Sequence, residues 1–372
     1  MYLQKRRFGR TDLWVSVVGF GGMWLHHFPL PTSPALTMKE ARMVVRRAFE
    51  LGINYFDTAS SYGDSEEKIG AALEDVRDEC IIATKTSSRT GKESLTDVEA
   101  SLRRLKTNRL DIIQLHSIDT IEMLKKATGP DGPLKTCKKA RSKGMVDYIG
   151  ITGHRPRVLA EAIKTGEFDA VLVPINIVTR QALEELIPLA KELDVGVAVM
   201  KPFAAKTSEV VTWGYTPSLS LISEEPELKA LLGEDKKTMI RNALRFVLAQ
   251  DVSVVVPGLK SVGEVEAAVR VGEEFEGVTE EEKKRFDVQL GADYCRDCGF
   301  CLPCSEGLDI PAILRFYDLS TKYGLRKWAK KLYQGLSVRV NGCTECGECE
   351  PKCPYRLPIV KLLQGVKVDF AE

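Results

Sequence analysis

Two groups of residues in this 372-residue chain have types and spacings that do chemistry. Eight of the ten cysteines lie between Cys295 and Cys353, in two tight runs. CRDCGFCLPC holds Cys295, Cys298, Cys301 and Cys304; CTECGECEPKCP holds Cys343, Cys346, Cys349 and Cys353. The second is the Cys-x2-Cys-x2-Cys-x3-Cys-Pro run whose short steps let successive thiolates wrap a [4Fe–4S] cubane. The first has one residue fewer before its fourth cysteine. Gly299 and Gly347 permit close backbone approach to inorganic sulfide, and Pro354 turns the chain away. Tetrahedral zinc is the alternative. A disulfide scaffold would spread its cysteines over the whole fold and needs an oxidising compartment. Cys80 and Cys137, outside the runs, read as packed thiols.

The second group is polar residues that close apolar stretches. Asp57 ends NYFD, with Tyr62 in the loop behind it; Lys85 ends CIIATK; His116 ends LDIIQLH. A lone lysine there is usually a solvent-facing stem, and a lone histidine a hydrogen-bonded structural residue. Four such groups converging on one mouth make an acid–base site. An ammonium beside a phenol favours the phenolate, so Lys85 would ease proton exchange at Tyr62. Asp57 would hold Lys85 and balance its charge, and the His116 imidazole would orient a carbonyl oxygen. That equipment suits hydride transfer to a carbonyl, where negative charge develops on oxygen, with the hydride coming from a cofactor.

The elements that position these groups alternate. Strands are expected at Val15–Phe20, Asn54–Asp57, Cys80–Lys85, Asp111–His116, Tyr148–Thr152, Ala170–Pro174, Gly196–Lys201 and Val252–Pro257. Helices are expected at Met38–Leu51, Glu66–Leu73, Ser94–Leu105, Leu134–Ser142, Arg155–Thr165, Thr179–Leu193, Lys236–Gln250 and Gly263–Val271. The first helix has Ala41, Val44, Val45, Ala48, Phe49 and Leu51 on one apolar face, a Thr37–Glu40 capping box and Gly52 as its stop. Eight strand–helix units predict a closed (β/α)8 TIM barrel, an α/β fold whose active site lies at the C-terminal strand ends. An open dinucleotide-binding sheet would need a helix directly behind its Gly-rich loop, and none follows Gly19, Gly21 and Gly22. Residues Arg6–Leu13 read as a hairpin plugging the barrel bottom. The insertion Phe203–Asp235 would bring Trp213, Tyr215, Pro217 and Leu219 to the catalytic face. The cysteine distribution divides the chain into a barrel over 1–285 and a small, mainly helical iron–sulfur domain over 286–372. The latter has a helical stretch at Ile310–Gln334.

The net charge is +1, which gives no general attraction to nucleic acid or membrane. MYLQKRRFGR has no apolar stretch behind its basic residues, so no signal peptide is expected, and no apolar run is long enough to span a bilayer. The expected location is cytoplasmic.

FDTASSYGDSEEKIG, IIATK, DIIQLH and IGITGH together resemble the aldo-keto reductases, over roughly residues 5–275. The resemblance implies a barrel that binds NAD or NADP with the nicotinamide across its mouth. It assigns catalytic roles to Asp57, Tyr62, Lys85 and His116, and a small carbonyl or alcohol as substrate. It also implies cofactor contacts at Gly21, Gly22, Asp57, Thr152, Gly153, Asn176, Met200, Lys201, Gly258, Lys260, Ser261 and Glu264. Several of these depart from the family pattern. Thr152-Gly153 replaces the usual Ser-Asn, Leu172 stands where Gln is common, Met200 replaces the stacking tyrosine, and Glu264 replaces an Arg for the 2′-phosphate. A carboxylate there favours NAD over NADP.

The tail is similar to the helical ferredoxin-like modules fused to dehydrogenases, and the whole chain resembles the aldo-keto reductases that carry a C-terminal 4Fe–4S domain. Paired runs of this kind often exchange their fourth cysteine. Cys353 would then complete the site of Cys295, Cys298 and Cys301, and Cys304 that of Cys343, Cys346 and Cys349. Two [4Fe–4S] clusters are expected, with one as the alternative. Nicotinamide delivers two electrons and a cubane takes one, and no flavin signature bridges them. The module is therefore expected to dock an external redox protein or to act as a structural clip. The competing reading of the chain is a nucleotide-binding electron-transfer or docking protein with little carbonyl reductase activity, motivated by the altered nicotinamide contacts.

Overall fold

The computed structural model describes residues 3–26, 36–177, 179–203, 232–233, 235–286, 293–322, 324 and 326–370. The chain divides into two compact units. The first comprises Met1–Asn176, Ala182–Pro202 and Ala243–Val278; the second comprises Ile177–Gln181, Phe203–Asn242 and Thr279–Glu372.

The first unit is a parallel barrel. Its strands are β3 (Phe20–Gly21), β4 (Tyr55–Asp57), β5 (Ile81–Thr86), β6 (Leu110–Leu115), β7 (Val146–Thr152), β8 (Ala170–Pro174), β9 (Gly196–Met200) and β10 (Val254–Val256), hydrogen-bonded in chain order. Parallel bridges Val18–Val255 and Gly21–Gly258 join the last strand to the first. Closure explains two glycines. A Cβ on Gly21 would stand 2.8 Å from the Pro257 carbonyl oxygen, and one on Gly258 would stand 2.2 Å from the Trp24 ring.

Helices alternate with these strands: α1 (Met38–Glu50), α2 (Ser65–Leu73), α3 (Gly91–Arg104), α4 (Ile121–Thr128), α5 (Pro133–Ser142), α6 (Pro156–Lys164), α7 (Leu186–Glu192), α8 (Lys236–Leu248) and α9 (Val262–Glu273). In α1 the expected capping box is present: Thr37 accepts from the Glu40 N–H, and the Glu40 carboxylate accepts from the Thr37 N–H at 2.8 Å. Ala41, Val44, Val45 and Ala48 are its buried face. The helix expected over Thr179–Leu193 is shorter, a 3-10 turn at Gln181–Leu183 followed by α7. Helix α4 has no counterpart among the helices expected from the sequence.

The first strand differs from expectation. Trp14–Ser16 (β2) pairs antiparallel with Lys5–Arg7 (β1), so the hairpin takes the residues assigned to the start of barrel strand one. Alternation cannot distinguish the two, because Val15 points into the barrel interior either way. The plug itself is as expected. Phe8 and Val15 are fully buried with Tyr55, Ile81, Ala83, Ile112, Ala170, Leu172, Ala198, Val254 and Val256. The Phe8 ring lies 5.6 Å from that of Tyr55.

That core fixes which way every strand end faces. Side chains in a strand alternate with period two. Tyr55, Ala83 and Ile112 are interior, so Asp57, Lys85 and Gln114 are the next interior positions above them, and His116 follows Gln114. By the same count Thr152, Met200 and Gly258 rise above interior residues of β7, β9 and β10. Leu172, at the position where the family commonly has Gln, lies in the core layer and is 1% exposed.

The second unit contains α10 (Glu280–Phe286), α11 (Ile310–Thr321), α12 (Arg326–Gln334) and α13 (Ile359–Phe370). The single stretch expected over Ile310–Gln334 is thus two helices, and α13 is additional to the expected elements. Proline at the second position of α11 suits a helix start, and Asp309 caps it. The Tyr333 and Phe370 rings pack 4.8 Å apart, joining α12 to α13. Tyr323 and Leu325 of the tail's Tyr-Gly-Leu sequence, and the insertion residues Trp213, Tyr215, Pro217 and Leu219, lie outside the described residues.

Candidate functional site

At the mouth of the barrel the Lys85 Nζ donates to Asp57 Oδ1 at 2.5 Å and to the Thr58 carbonyl at 2.6 Å. Gln114 donates to the other Asp57 oxygen at 3.0 Å. Lys85 is 1% exposed and Asp57 5%. Burial works against both charges, but their contact opposes it, and Asp57 with Tyr62 keeps the Lys85 ammonium above its ordinary pKa. The ammonium also lies 4.9 Å from the centre of the Tyr62 ring. Tyr62 meets His116 edge-on, ring centres 5.8 Å apart at 77°. The structure therefore brings Asp57, Tyr62, Lys85 and His116 together.

The protonation states differ from the simplest expectation. Burial raises the Tyr62 pKa above its ordinary value, and the Asp57 charge adds to this. The Lys85 charge and hydrogen bond pull the other way without winning. Tyr62 is thus a protonated phenol, a proton donor rather than a ready phenolate. Burial, followed by the charges of Lys85, His154 and Arg89, pushes His116 down to about 3. A neutral imidazole is the state at any ordinary pH.

This has a stability consequence. In the unfolded chain His116 takes a proton near the ordinary histidine value of 6.5; in the folded chain it does so only near 3. Between those values the unfolded chain binds the extra proton, so the contribution is intact above 6.5 and is lost as pH falls toward 3. The drop in urea midpoint from about pH 7 to about pH 4.5 is expected to be smaller in His116→Gln than in wild type. Equal drops would contradict the shift.

The residues expected to contact the cofactor are held in different ways. Gly22 backs onto the Ser65 hydroxyl and the Asp57 carbonyl, and Gly153 onto the Ile118 carbonyl, where a Cβ would stand 2.5 Å away. Thr152 and Asn176 are buried, and Asn176 donates to the Lys201 carbonyl at 3.0 Å. Lys201 itself has φ +58°, a turn out of β9 directly behind Met200. Ser261 caps α9 by accepting from the Glu264 N–H, and the Glu264 carboxylate accepts from the Lys260 N–H at 2.9 Å. The helix N-terminus, which would otherwise favour a phosphate, already holds a carboxylate.

Sequence reasoning missed Gln114, Ser61, Ser87, Arg89 and Asp119. Gln114 had a signal, as the one amide within an apolar strand at interior parity. Asp119 contacts both the backbone N–H and the ring of His154, a long-range pairing that no local spacing announces.

In the second unit the cysteines group around two places. The electrostatic neighbours of Cys301 are Cys298, Cys349 and Cys353; Cys295 senses Cys301, and Cys298 senses Cys353. Cys304, Cys343, Cys346 and Cys349 line one recess, which Cys301 also borders. No three His, Cys, Asp or Glu among the described residues converge on a point as a single metal ion would require. Helix α11 braces the first run. Its Asp318 accepts from the Cys295 N–H at 3.4 Å, and its Arg315 donates to Asp297 at 3.3 Å and Thr179 at 2.9 Å.

Residues 17–288 match the model of the aldo/keto reductase family. The chain belongs to the aldo/keto reductase family. Residues 291–357 of this aldo/keto reductase match a 4Fe–4S dicluster domain. The barrel is similar to aldo-keto reductase AKR11C1 from Bacillus halodurans in its holo form, at 30% identity and a TM-score of 0.62, over 77% of this chain and 95% of that one. It is 28% identical to L-galactose dehydrogenase of Arabidopsis thaliana over 77% of this chain and 93% of the relative. It is 32% identical to the uncharacterized oxidoreductase YqkF of Bacillus subtilis (strain 168) over 54% of this chain and 65% of the relative. The match thus spans just under two thirds of that last relative's length. This reductase is an NAD(P)-dependent oxidoreductase by family, acting on a small organic substrate. Among the described residues, no helix is long and apolar enough to cross a membrane.

Proposed function

We propose that this protein reduces a small carbonyl compound to an alcohol, or runs the reverse, with Tyr62 as the acid–base group and Asp57, Lys85 and His116 around it. The observation that carries the reading is the buried Lys85–Asp57 pair lying against Tyr62, with His116 edge-on to the same ring. A bound nicotinamide supplies or accepts the hydride. Tyr62, kept protonated by burial, gives its proton to the oxygen as negative charge develops there. Lys85 moderates the phenol's pKa and stabilises the charge that Tyr62 acquires. Neutral His116 orients the carbonyl oxygen by hydrogen bond without competing as a proton source. Gly21, Gly22, Thr152, Gly153, Asn176, Met200, Lys201, Gly258, Lys260, Ser261 and Glu264 are proposed to hold the dinucleotide.

A panel of small aldehydes, ketones and aldoses with NADH and NADPH tests the activity. Aldoses are included because of the Arabidopsis relative. No turnover on any of them, with dinucleotide still bound, would favour the docking or electron-transfer reading. NADH is expected to be used at least as well as NADPH, because the Glu264 carboxylate at the start of α9 repels a 2′-phosphate. A strong preference for NADPH in kcat/KM would refute this.

The barrel is proposed to end near residue 285, with an iron–sulfur domain over 286–372, in a cytoplasmic protein. The cysteine groupings support ligation of one cluster by Cys295, Cys298, Cys301 and Cys353, and of the other by Cys304, Cys343, Cys346 and Cys349. Anaerobically prepared protein is expected to give about eight irons and about eight sulfides per chain, four per cubane. About four of each would mean one cluster. The module is proposed to serve as a docking site for an external redox protein or as a structural clip.

A further inference from the structure

His116 is neutral, so its ring carries one N–H, and which nitrogen holds it decides whether the ring can donate to a carbonyl oxygen. Two hydroxyls address the same nitrogen. Ser87 Oγ stands 3.0 Å and Ser61 Oγ 3.4 Å from His116 Nδ1. They arrive from different strands' ends, Ser61 from the loop behind β4 and Ser87 directly behind β5. Among the described residues neither hydroxyl makes another side-chain hydrogen bond. Nδ1 has a single in-plane lone pair, so one hydroxyl at a time can fill it, and Ser87 at 3.0 Å is the nearer of the two. The ring is also held in place. Arg89 donates to the His116 carbonyl at 2.9 Å and to the Ser117 carbonyl at 3.3 Å, and Ser117 has φ +53°. That clamp fixes the turn that carries His116 off β6.

We propose that Ser87, with Ser61 behind it at longer range, is a positioning residue that donates to Nδ1 of His116 and so holds its proton on Nε2, making the ring a preorganised donor to the substrate oxygen. The catalytic part of this rests on the carbonyl reduction proposed above; the tautomer itself does not. A donor already carrying its proton at the right nitrogen needs no reorganisation as charge develops on oxygen. With the hydroxyls removed, both tautomers become populated, and in one of them the lone pair faces the substrate.

Nitrogen NMR on protein labelled at histidine tests it. The chain has four histidines, so assignment by loss of one signal in His116→Gln is direct. Wild type is expected to show His116 as the Nε2–H form. Ser61→Ala/Ser87→Ala is expected to show a mixture, with kcat down about tenfold and KM changed less than about twofold, the loss of one orienting hydrogen bond. Ser87→Thr, which keeps a hydroxyl, is expected to keep the wild-type tautomer. If the double variant fails to fold, Ser87→Ala alone is read the same way. An Nδ1–H ring in wild type, or an unchanged Nε2–H ring in the double variant, overturns the proposal. A shifted tautomer with wild-type kcat overturns its catalytic part. Should wild type turn over no carbonyl, the NMR result still decides the tautomer, so the two failures are told apart.

Discussion

Lys85→Met is expected to lower carbonyl reduction by at least about a hundredfold. The variant loses the cation that stabilises the charge on Tyr62 as its proton leaves, and the phenol becomes a weaker acid. In the sequence alone this looks like a change to chemistry with the fold untouched. The structure alters that expectation. Lys85 and Asp57 are a buried pair, and removing one partner leaves a carboxylate with Gln114 as its remaining side-chain donor. Breaking such a pair costs about 3–5 kcal/mol, read as a lower urea midpoint. Chemistry and stability separate in Lys85→Met/Asp57→Leu. Removing both charges is expected to restore much of the stability and none of the activity. A double variant that recovers half of wild-type turnover would sink the role of Lys85.

Tyr62→Phe has the larger effect on chemistry and the smaller one on the fold. The ring remains, and with it the Lys85 ammonium over its face. Only the hydroxyl is lost, at a cost of about 1 kcal/mol. Removing the proton donor is expected to reduce kcat by about 10²–10⁴-fold, while dinucleotide affinity, measured by fluorescence titration, stays near wild type. A Tyr62→Phe enzyme with more than half its kcat would mean that another group supplies the proton. Because burial holds Tyr62 protonated, wild-type alcohol oxidation should rise with pH through the alkaline range, while reduction should not.

What the sequence determined is what local spacing encodes. Cysteines three or four positions apart suit ligation of a compact metal or iron–sulfur centre, so CTECGECEPKCP signals that chemistry without a fold. Eight apolar stretches alternating with amphipathic ones require closure once no phosphate loop is present, and the barrel follows. Strand ends are legible too, because an ionisable residue after an apolar run marks where the strand leaves the core. Asp57, Lys85 and His116 were visible for that reason. The tertiary structure decided everything that depends on register between distant segments. Whether Trp14–Ser16 starts a barrel strand or closes a hairpin depends on a partner at Lys5–Arg7 and a core shared with Phe8. Gln114 joins Asp57 because β4 and β6 flank β5 at matched height, and Ser61 and Ser87 meet one ring nitrogen for the same reason. The charge state of Tyr62 is likewise tertiary: the sequence places a lysine near a phenol, but only burial shows that the cost of losing water outweighs that lysine's attraction.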